Sequence, residues 1–440
     1  MPQATGREIL RLAVPAFLAL IAEPLFLLAD SAIVGHLGTA PLAGLGLASA
    51  VLLTAVGLFV FLAYGTTAVV ARQIGAGSRA GAIEVGIDGT WLAVVLGLAA
   101  AAGVGFGAGP LASALGGSGP ALEQAVSYLR VAAAGIPAML VVLACTGVFR
   151  GLQDTRTPLV ASVLASAANA VLNVVLVYGA YLGITGSALG TVVAQWGMAL
   201  GLLVVLARYA RAEGARWHPH PGRVLRAAVG GLPLLARTLA LRAILVVTTW
   251  VAAGLGDVTL AAHQVTATVW SFLAFALDAL AIAGQALTGK ALGAGDRRAA
   301  REATGVMIRW GVWGGAALGA LTLLASRALP VLFTGDPEVR AAMAAALVVV
   351  AVGQPLSGYV FVVDGVLIGA GDARWLAGGD GATLAAYVPV ALVVRALAPP
   401  DPSTALVWLW VGFTWFMVVR GALFRWRVRG DAWMVTGAVR

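Results

Sequence analysis

Residues 44–70 read GLGLASAVLLTAVGLFVFLAYGTTAVV, a continuous apolar run without one charged side chain. About 20 mostly apolar residues are enough for a helix to cross a bilayer, so this run predicts a transmembrane helix. The rest of the chain has the same character: hydrophobic residues make up 60% and charged residues 11% of its 440 residues, and the mean hydropathy is +0.95. Soluble domains carry about 25% charged residues. The composition therefore excludes a soluble globular enzyme.

Clusters of Gly, Pro, Ser and charged residues divide the chain into twelve apolar stretches, each of which predicts a transmembrane helix. They lie near 10–34, 44–70, 87–109, 124–149, 158–179, 185–208, 226–252, 261–288, 304–331, 341–370, 376–397 and 403–425. The first stretch contains Glu23 and Asp30 and is followed by no small-residue cleavage site. We therefore interpret it as a transmembrane helix and not as a signal peptide.

The basic residues divide unevenly between the two sets of loops. In this arrangement 21 of them fall on one side of the membrane and 4 on the other. Because cytoplasmic loops hold the positive excess, we predict a multi-pass protein of a bacterial-type cytoplasmic (inner) membrane with both termini in the cytoplasm. The same asymmetry accounts for the net charge of +9 without a nucleic-acid partner.

A shift of 218 residues aligns the two halves of the chain over about 140 positions, the signature of an internal repeat. Leu37-Gly38 aligns with Leu255-Gly256, Gly135-Ile136-Pro137 with Gly353-Gln354-Pro355, and Gly147, Gly151, Asp154 and Arg156 with Gly365, Gly369, Asp372 and Arg374. Matched Gly, Pro, Asp and Arg residues in one register are far less frequent by chance than matched Ala or Leu. We infer that one six-helix unit was duplicated.

The repeat predicts the architecture. Each half contains six helices, so both halves begin and end on the same side of the membrane. The predicted fold is an all-α membrane protein of twelve transmembrane helices, in which two six-helix bundles related by a pseudo-twofold axis along the membrane normal enclose a central cavity. We place the N-terminal half at 1–209, a cytoplasmic basic linker at 210–225, and the C-terminal half with a short cytoplasmic tail at 226–440.

Several motifs resemble the multidrug and toxic compound extrusion (MATE) family, particularly its DinF-like branch. They are ADSAIVGHLG at 29–38, FRGLQDTRTP at 149–158, AAHQ at 261–264, and LDALA at 277–281 followed by GQA at 284–286. The resemblance spans the first ten predicted helices. It implies an antiporter that expels organic, often cationic and amphipathic, compounds in exchange for protons or sodium ions.

The resemblance also implies where ions and substrate act. The family's aspartate in the first helix falls on Asp30, and the aspartate in the eighth helix of the DinF-like branch falls on Asp278. The polar motif of the fifth helix falls on Asn169 and Asn173, which either hydrogen-bond to Asp30 or a bound ion or hold two helices together. In the family this motif usually reads Asn-x-x-x-Asn or Asn-x-x-x-Asp, and this chain has the first form, without a carboxylate at 173.

Other ionisable residues also lie at membrane depth, where each needs a partner or a function. The acids are Glu23 and Asp364, and the arginines are Arg237 and Arg242. The repeat places Arg242 near the depth of Glu23, so Glu23 is either a structural partner of Arg242 or part of the transport site. Asp278 is either a transport residue or a partner of Arg237 or Arg242. Asp364 is either a transport residue or a solvated or capped acid near the helix end.

We therefore predict a secondary-active antiporter that exports small organic compounds, coupled to H⁺ or, as the alternative, to Na⁺. The closest rival is a lipid-precursor flippase of the same superfamily, which usually has more helices and a strongly cationic cavity. No nucleophile–base pair or metal-ligand spacing is evident in the sequence, so we expect neither enzymatic activity nor a metal or other cofactor. We expect the chain to function as a monomer in the lipid bilayer.

Overall fold

A computed structural model describes residues 2–438, and the side chains of these residues except 2–5, 23 and 25–28. Within this part of the chain the structure is almost entirely helical. The long helices are α1 Pro2–Gly35, α2 Thr39–Gly75, α3 Arg79–Phe106, α4 Gly119–Gly151, α5 Arg156–Gly179, α6 Gly183–Ala212, α7 Pro221–Gly254, α8 Asp257–Gly293, α9 Arg297–Ala325, α10 Pro337–Gly369, α11 Ala373–Leu397 and α12 Pro402–Arg429.

The predicted all-α membrane fold is confirmed. Helices α2 to α12 are the eleven that the described residues show to be long and apolar enough to cross a membrane, and α1 corresponds to the first predicted span. Most helices begin several residues before the predicted stretches because their first turns carry polar residues, whereas α3 and α9 end earlier than predicted, at Phe106 and Ala325. Arg72, which the sequence suggested lies in a loop, is in α2 and is buried.

Some helices are interrupted. Helix α2 is broken between Leu58 and Phe61, α4 contains a 3₁₀ turn at Ala133–Gly135, and α5 ends in a π-helical turn at Val175–Gly179. A π-helical turn is rare and is often found at functional sites. This one directly follows the polar residues at 169 and 173.

The chain forms two compact units. The N-terminal unit consists of residues 14–231, and the C-terminal unit consists of residues 2–13 together with 232–438. The two points of division, before Val14 and before Leu232, are 218 residues apart, which is the offset of the sequence repeat. The proposed boundaries at 209 and 226 stay a prediction.

The repeated glycines allow close helix contacts in both units. In the N-terminal unit a Cβ at Gly147 would meet the backbone oxygen of Ala63 at 2.5 Å, closer than real Cβ atoms approach. In the C-terminal unit a Cβ at Gly365 would collide with the backbone oxygen of Ala281. Small residues let membrane helices approach closely, and both glycine and contact recur at an offset of 218 residues. Packing therefore accounts for these matches of the repeat.

The segment between α6 and α7 is folded back onto α3. The backbone N–H of His220 donates to Asp88 at 2.8 Å, and Arg223 Nε lies 2.7 Å from the same carboxylate. Arg223 also pairs with Glu84 at 3.0 Å. Asp88 is buried, and the sequence analysis did not single it out as an acid that needs a partner.

Candidate functional site

A cluster of polar side chains surrounds Asp30 in the interior of the N-terminal unit. Asp30 lies in the last third of α1 and is 2% exposed. Helix α5 contributes Asn169 and Asn173, and α6 contributes Ser187 and Thr191. Each of these pairs is four residues apart, so each lies on one face of its helix. Two short polar stripes therefore face the carboxylate, and we call this group, together with Tyr128 of α4, the Asp30 site.

Three neutral groups interact with the Asp30 carboxylate. Asn173 Nδ2 and Ser187 Oγ each donate a hydrogen bond of 2.6 Å to Oδ1. The hydroxyl of Tyr128 is also hydrogen-bonded to Asp30. Hydrogen bonds to a charged acceptor are about twice as strong as those between neutral groups. The site is thus organised around a single acid.

Asn173 and Asn169 continue the network. Asn173 Nδ2 also donates to Asn169 Oδ1 at 3.1 Å, and Asn169 Nδ2 donates to Thr191 Oγ1 at 3.1 Å. The two groups that lie beside Asn173 Nδ2, Asp30 Oδ1 and Asn169 Oδ1, are both acceptors. The amide of Asn173 is therefore oriented with its NH₂ group toward them. Asn173 Oδ1 is left without a hydrogen-bond partner and packs against Gly190, where a Cβ would not fit. The asparagine at 173 therefore acts as a donor to Asp30, a role that a carboxylate could not fill.

The Asp30 site changes its charge with a single proton. Within the described part of the chain, no arginine, lysine or histidine forms an ion pair with Asp30, whereas the other buried acids Asp88, Asp364, Asp372 and Asp380 each have an arginine partner. An uncompensated carboxylate at membrane depth is costly, and a proton or a bound cation removes that cost. The geometry suits a group that exchanges one for the other.

A second polar cluster lies in the C-terminal unit and contains two oppositely charged pairs. We call Arg237 of α7, Asp364 of α10, Asp380 of α11 and Arg420 of α12 the charge cluster. All four are at most 7% exposed. Arg237 pairs with Asp364 through Nη2, and its Nε lies 3.5 Å from Asp380. Arg420 pairs with Asp380 at 2.7 Å and with Asp364 at 2.9 Å.

The charge cluster excludes one of the two interpretations of Asp364. The sequence left open a transport residue or a solvated acid, but the carboxylate is buried and contacts two arginines. A solvated acid is therefore wrong, and a transport role of Asp364 stays a prediction. Arg237 pairs with Asp364 and Asp380, and whether Asp278 is a transport residue or a partner of Arg237 or Arg242 stays a prediction.

Two further candidates lie in α8 and α7. Asp278 is half-buried in α8, and Arg242 is exposed on α7. The side chain of Glu23 lies outside the described residues, so its proposed pairing with Arg242 stays a prediction.

Sequence reasoning missed Tyr128, Ser187 and Thr191 at the Asp30 site, and Asp380 at the charge cluster. The four-residue spacing of Ser187 and Thr191 matches that of Asn169 and Asn173 and was the available signal. Asp380 stands between Gly379 and Gly381, close to the predicted start of its helix. The helix begins earlier, at Ala373, and so Asp380 lies two turns inside it.

Comparison with known proteins places this architecture in a family. The MatE family model matches residues 15–175 and 233–393, two segments in the register of the 218-residue repeat. The chloroplastic Protein DETOXIFICATION 44 of Arabidopsis thaliana is 32% identical over 444 residues, which cover 96% of this chain and 82% of that protein. The DNA damage-inducible protein F of Escherichia coli K12 is 27% identical over 457 residues, covering 98% and 94%.

The fold agrees with these relationships. The crystal structure of the Vibrio cholerae MATE transporter VcmN in the bent form superposes with a TM-score of 0.88 at 20% identity, covering 98% of this chain and 99% of that one. The resemblance noted in the sequence is thereby confirmed, and the chain belongs to the MatE family of multidrug and toxic compound extrusion transporters.

Proposed function

We propose that this transporter exports organic cations in exchange for protons and that Asp30 is the group that exchanges them. The observation that supports this assignment is the environment of Asp30: a buried carboxylate that accepts hydrogen bonds from neutral donors and pairs with no described cation. When Asp30 is ionised the site carries one negative charge, and when it is protonated the site is neutral.

Antiport follows from competition for this charge. A ligand shifts an equilibrium between two states only to the extent that it binds them differently. An organic cation gains from the ionised form of Asp30, and a proton removes that gain. Binding of one therefore releases the other, which is the linkage that exchange requires.

A change at Asp30 can reach the backbone of its own helix. Pro24 lies inside α1, six residues before Asp30. Proline removes a backbone hydrogen bond and is a common cause of helix kinks. We propose that the hydrogen bonds to Asp30 set the direction in which α1 runs beyond Pro24. Their strength depends on whether Asp30 is protonated.

The purified protein in liposomes tests the exchange. With a pH-sensitive dye inside, addition of tetraphenylphosphonium to one side should drive proton movement to that side in sodium-free buffer. Imposing a sodium gradient at equal pH should drive no uptake of this cation. Proton movement that requires sodium, or none at all, would contradict the proposal.

We further propose that the turn between α2 and α3 is cytoplasmic and that the segment before α4 is external, as the distribution of basic residues suggests. Ala76 and Ser118 are exposed in these two segments. In a Cys145→Ala background, Ser118→Cys should react with an impermeant thiol reagent in intact cells, and Ala76→Cys should react only after permeabilisation. The reverse pattern would show that the orientation is wrong.

A further inference from the structure

The charge cluster connects four helices of the C-terminal unit at one level. Asp364 is five residues from the end of α10, Asp380 is seven residues from the start of α11, and Arg420 is nine residues from the end of α12. At about 1.5 Å per residue, these positions are roughly 7–14 Å from the helix ends. Arg237 joins the cluster from α7. The cluster therefore joins the end of α10, the start of α11 and the end of α12 to the middle of α7.

The four ion pairs form a closed ring. Each aspartate contacts both arginines, and each arginine contacts both aspartates. Arg420 is further held by the ring of Phe424, whose centroid lies 4.8 Å from its guanidinium carbon. Within the ring, two positive and two negative charges balance one another. Removing one member leaves an uncompensated charge inside the unit, whereas removing a complete pair does not.

The ring is not a product of the duplicated fold. The equivalent residues of the N-terminal unit are Ala19, Thr146, Ser162 and Leu202, none of which is charged. Conversely, the positions in the C-terminal unit that correspond to Asp30 and Asn169 hold Thr248 and Tyr387, which form a neutral hydrogen bond of 2.6 Å. Among the described residues the two units have thus diverged, one toward the Asp30 site and the other toward a set of balanced charges.

From these observations we infer that the charge cluster is an ion-pair lock. It fixes α7, α10, α11 and α12 to one another, so that this part of the C-terminal unit moves as one body during transport. If one helix moved away from the other three, it would leave unpaired charges in the membrane interior, which is costly in free energy. A movement of all four helices together keeps every charge paired.

A double-mutant cycle tests the lock. We expect Asp380→Leu alone to lower the unfolding temperature of the purified protein in detergent by about 5–10 °C, because Arg420 loses its main partner. Adding Arg420→Met to the same chain should recover most of this loss, since Arg237 and Asp364 still pair with each other. If Asp380→Leu cannot be purified, Asp380→Asn takes its place as the single variant. The readout is then whether the chain with both Asp380→Leu and Arg420→Met is obtained in the yield of the parent.

An exposed ion pair of the same unit provides the control. Arg298 and Glu302 pair at 2.8 Å on the surface of α9, so Arg298→Gln should change the unfolding temperature little. Amide hydrogen exchange in α11 and α12 should accelerate in Asp380→Asn and return to the parent rate in the double variant. The lock would be refuted if Asp380→Leu unfolded at the same temperature as the parent. It would also be refuted if the decreases in unfolding temperature caused by Asp380→Leu and Arg420→Met simply added in the double variant.

Transport by the double variant separates the lock from a coupling site. A lock made of balanced charges can be replaced by balanced apolar groups, so the stable double variant should transport tetraphenylphosphonium. A double variant that is as stable as the parent but inactive would assign the cluster to transport itself and overturn this inference. This transport readout rests on the proposed function and uses the parent protein as its positive control, whereas the unfolding temperatures of the double-mutant cycle do not depend on it.

Discussion

Asp30→Asn is expected to reduce substrate-coupled proton movement to the level of protein-free liposomes while the folded protein is still obtained in normal yield. Asparagine has nearly the same size as aspartate, and its oxygen can still accept hydrogen bonds from Asn173 and Ser187. It cannot lose or gain a proton at physiological pH. The substitution also removes a buried charge that has no described ion-pair partner, so it should not lower stability.

The matched control for this variant is Asp257→Asn, which removes an exposed aspartate at the start of α8. It should transport like the parent. If Asp30→Asn exported the substrate as well as the parent, under an imposed proton gradient and under a sodium gradient, the role assigned to Asp30 would be wrong. Asp278 would then become the leading candidate.

Gly365→Ala is expected to abolish the folded protein. Residue 365 lies where α10 crosses α8, and the added methyl group would collide with the backbone oxygen of Ala281. A backbone atom within a helix cannot move aside as the end of a side chain can, so α10 and α8 would have to separate. Overpacking a tightly packed interior typically costs about 1–3 kcal/mol and more where nothing can yield. Fluorescence-detected gel filtration of the solubilised protein measures the outcome.

Gly378→Ala serves as the matched control, because Gly378 lies in the interior of α11 and a Cβ there meets no atom within 4 Å. Alanine favours helix over glycine by about 1 kcal/mol, so this variant should be as stable as the parent or more so. Equal monodisperse yields of Gly365→Ala and Gly378→Ala would contradict the packing account of the repeated glycines.

The sequence was sufficient to predict the helices, the repeat and the family. Runs such as 44–70 are long and uncharged, and the bilayer sets the length that a spanning helix needs. Asp30, Asn169 and Asn173 could be singled out for the same physical reason, since polar groups at membrane depth need a partner or a function. The structure brings these three together as hydrogen-bonded neighbours.

The partners on other helices could not be predicted from spacing alone. Ser187 and Thr191 are common residues in membrane helices, and only the packing of α6 beside α5 turns them toward Asp30. The charge cluster assembles residues from four helices that are up to 183 positions apart in sequence, between Arg237 and Arg420. The periodicity of polar residues within one helix does not reveal a contact between residues of four different helices. The repeat gives the location of glycines but not of the charges, which differ between the two units.

The most direct test of the central claim is the number of protons released when substrate binds to the purified protein. In weakly buffered detergent solution, saturating tetraphenylphosphonium should release about one proton per molecule from the parent at a pH where Asp30 is protonated, because the cation favours the ionised carboxylate. Asp30→Asn should release none, and Asp257→Asn should release as much as the parent. Equal proton release from Asp30→Asn and the parent would show that another group exchanges protons with the substrate.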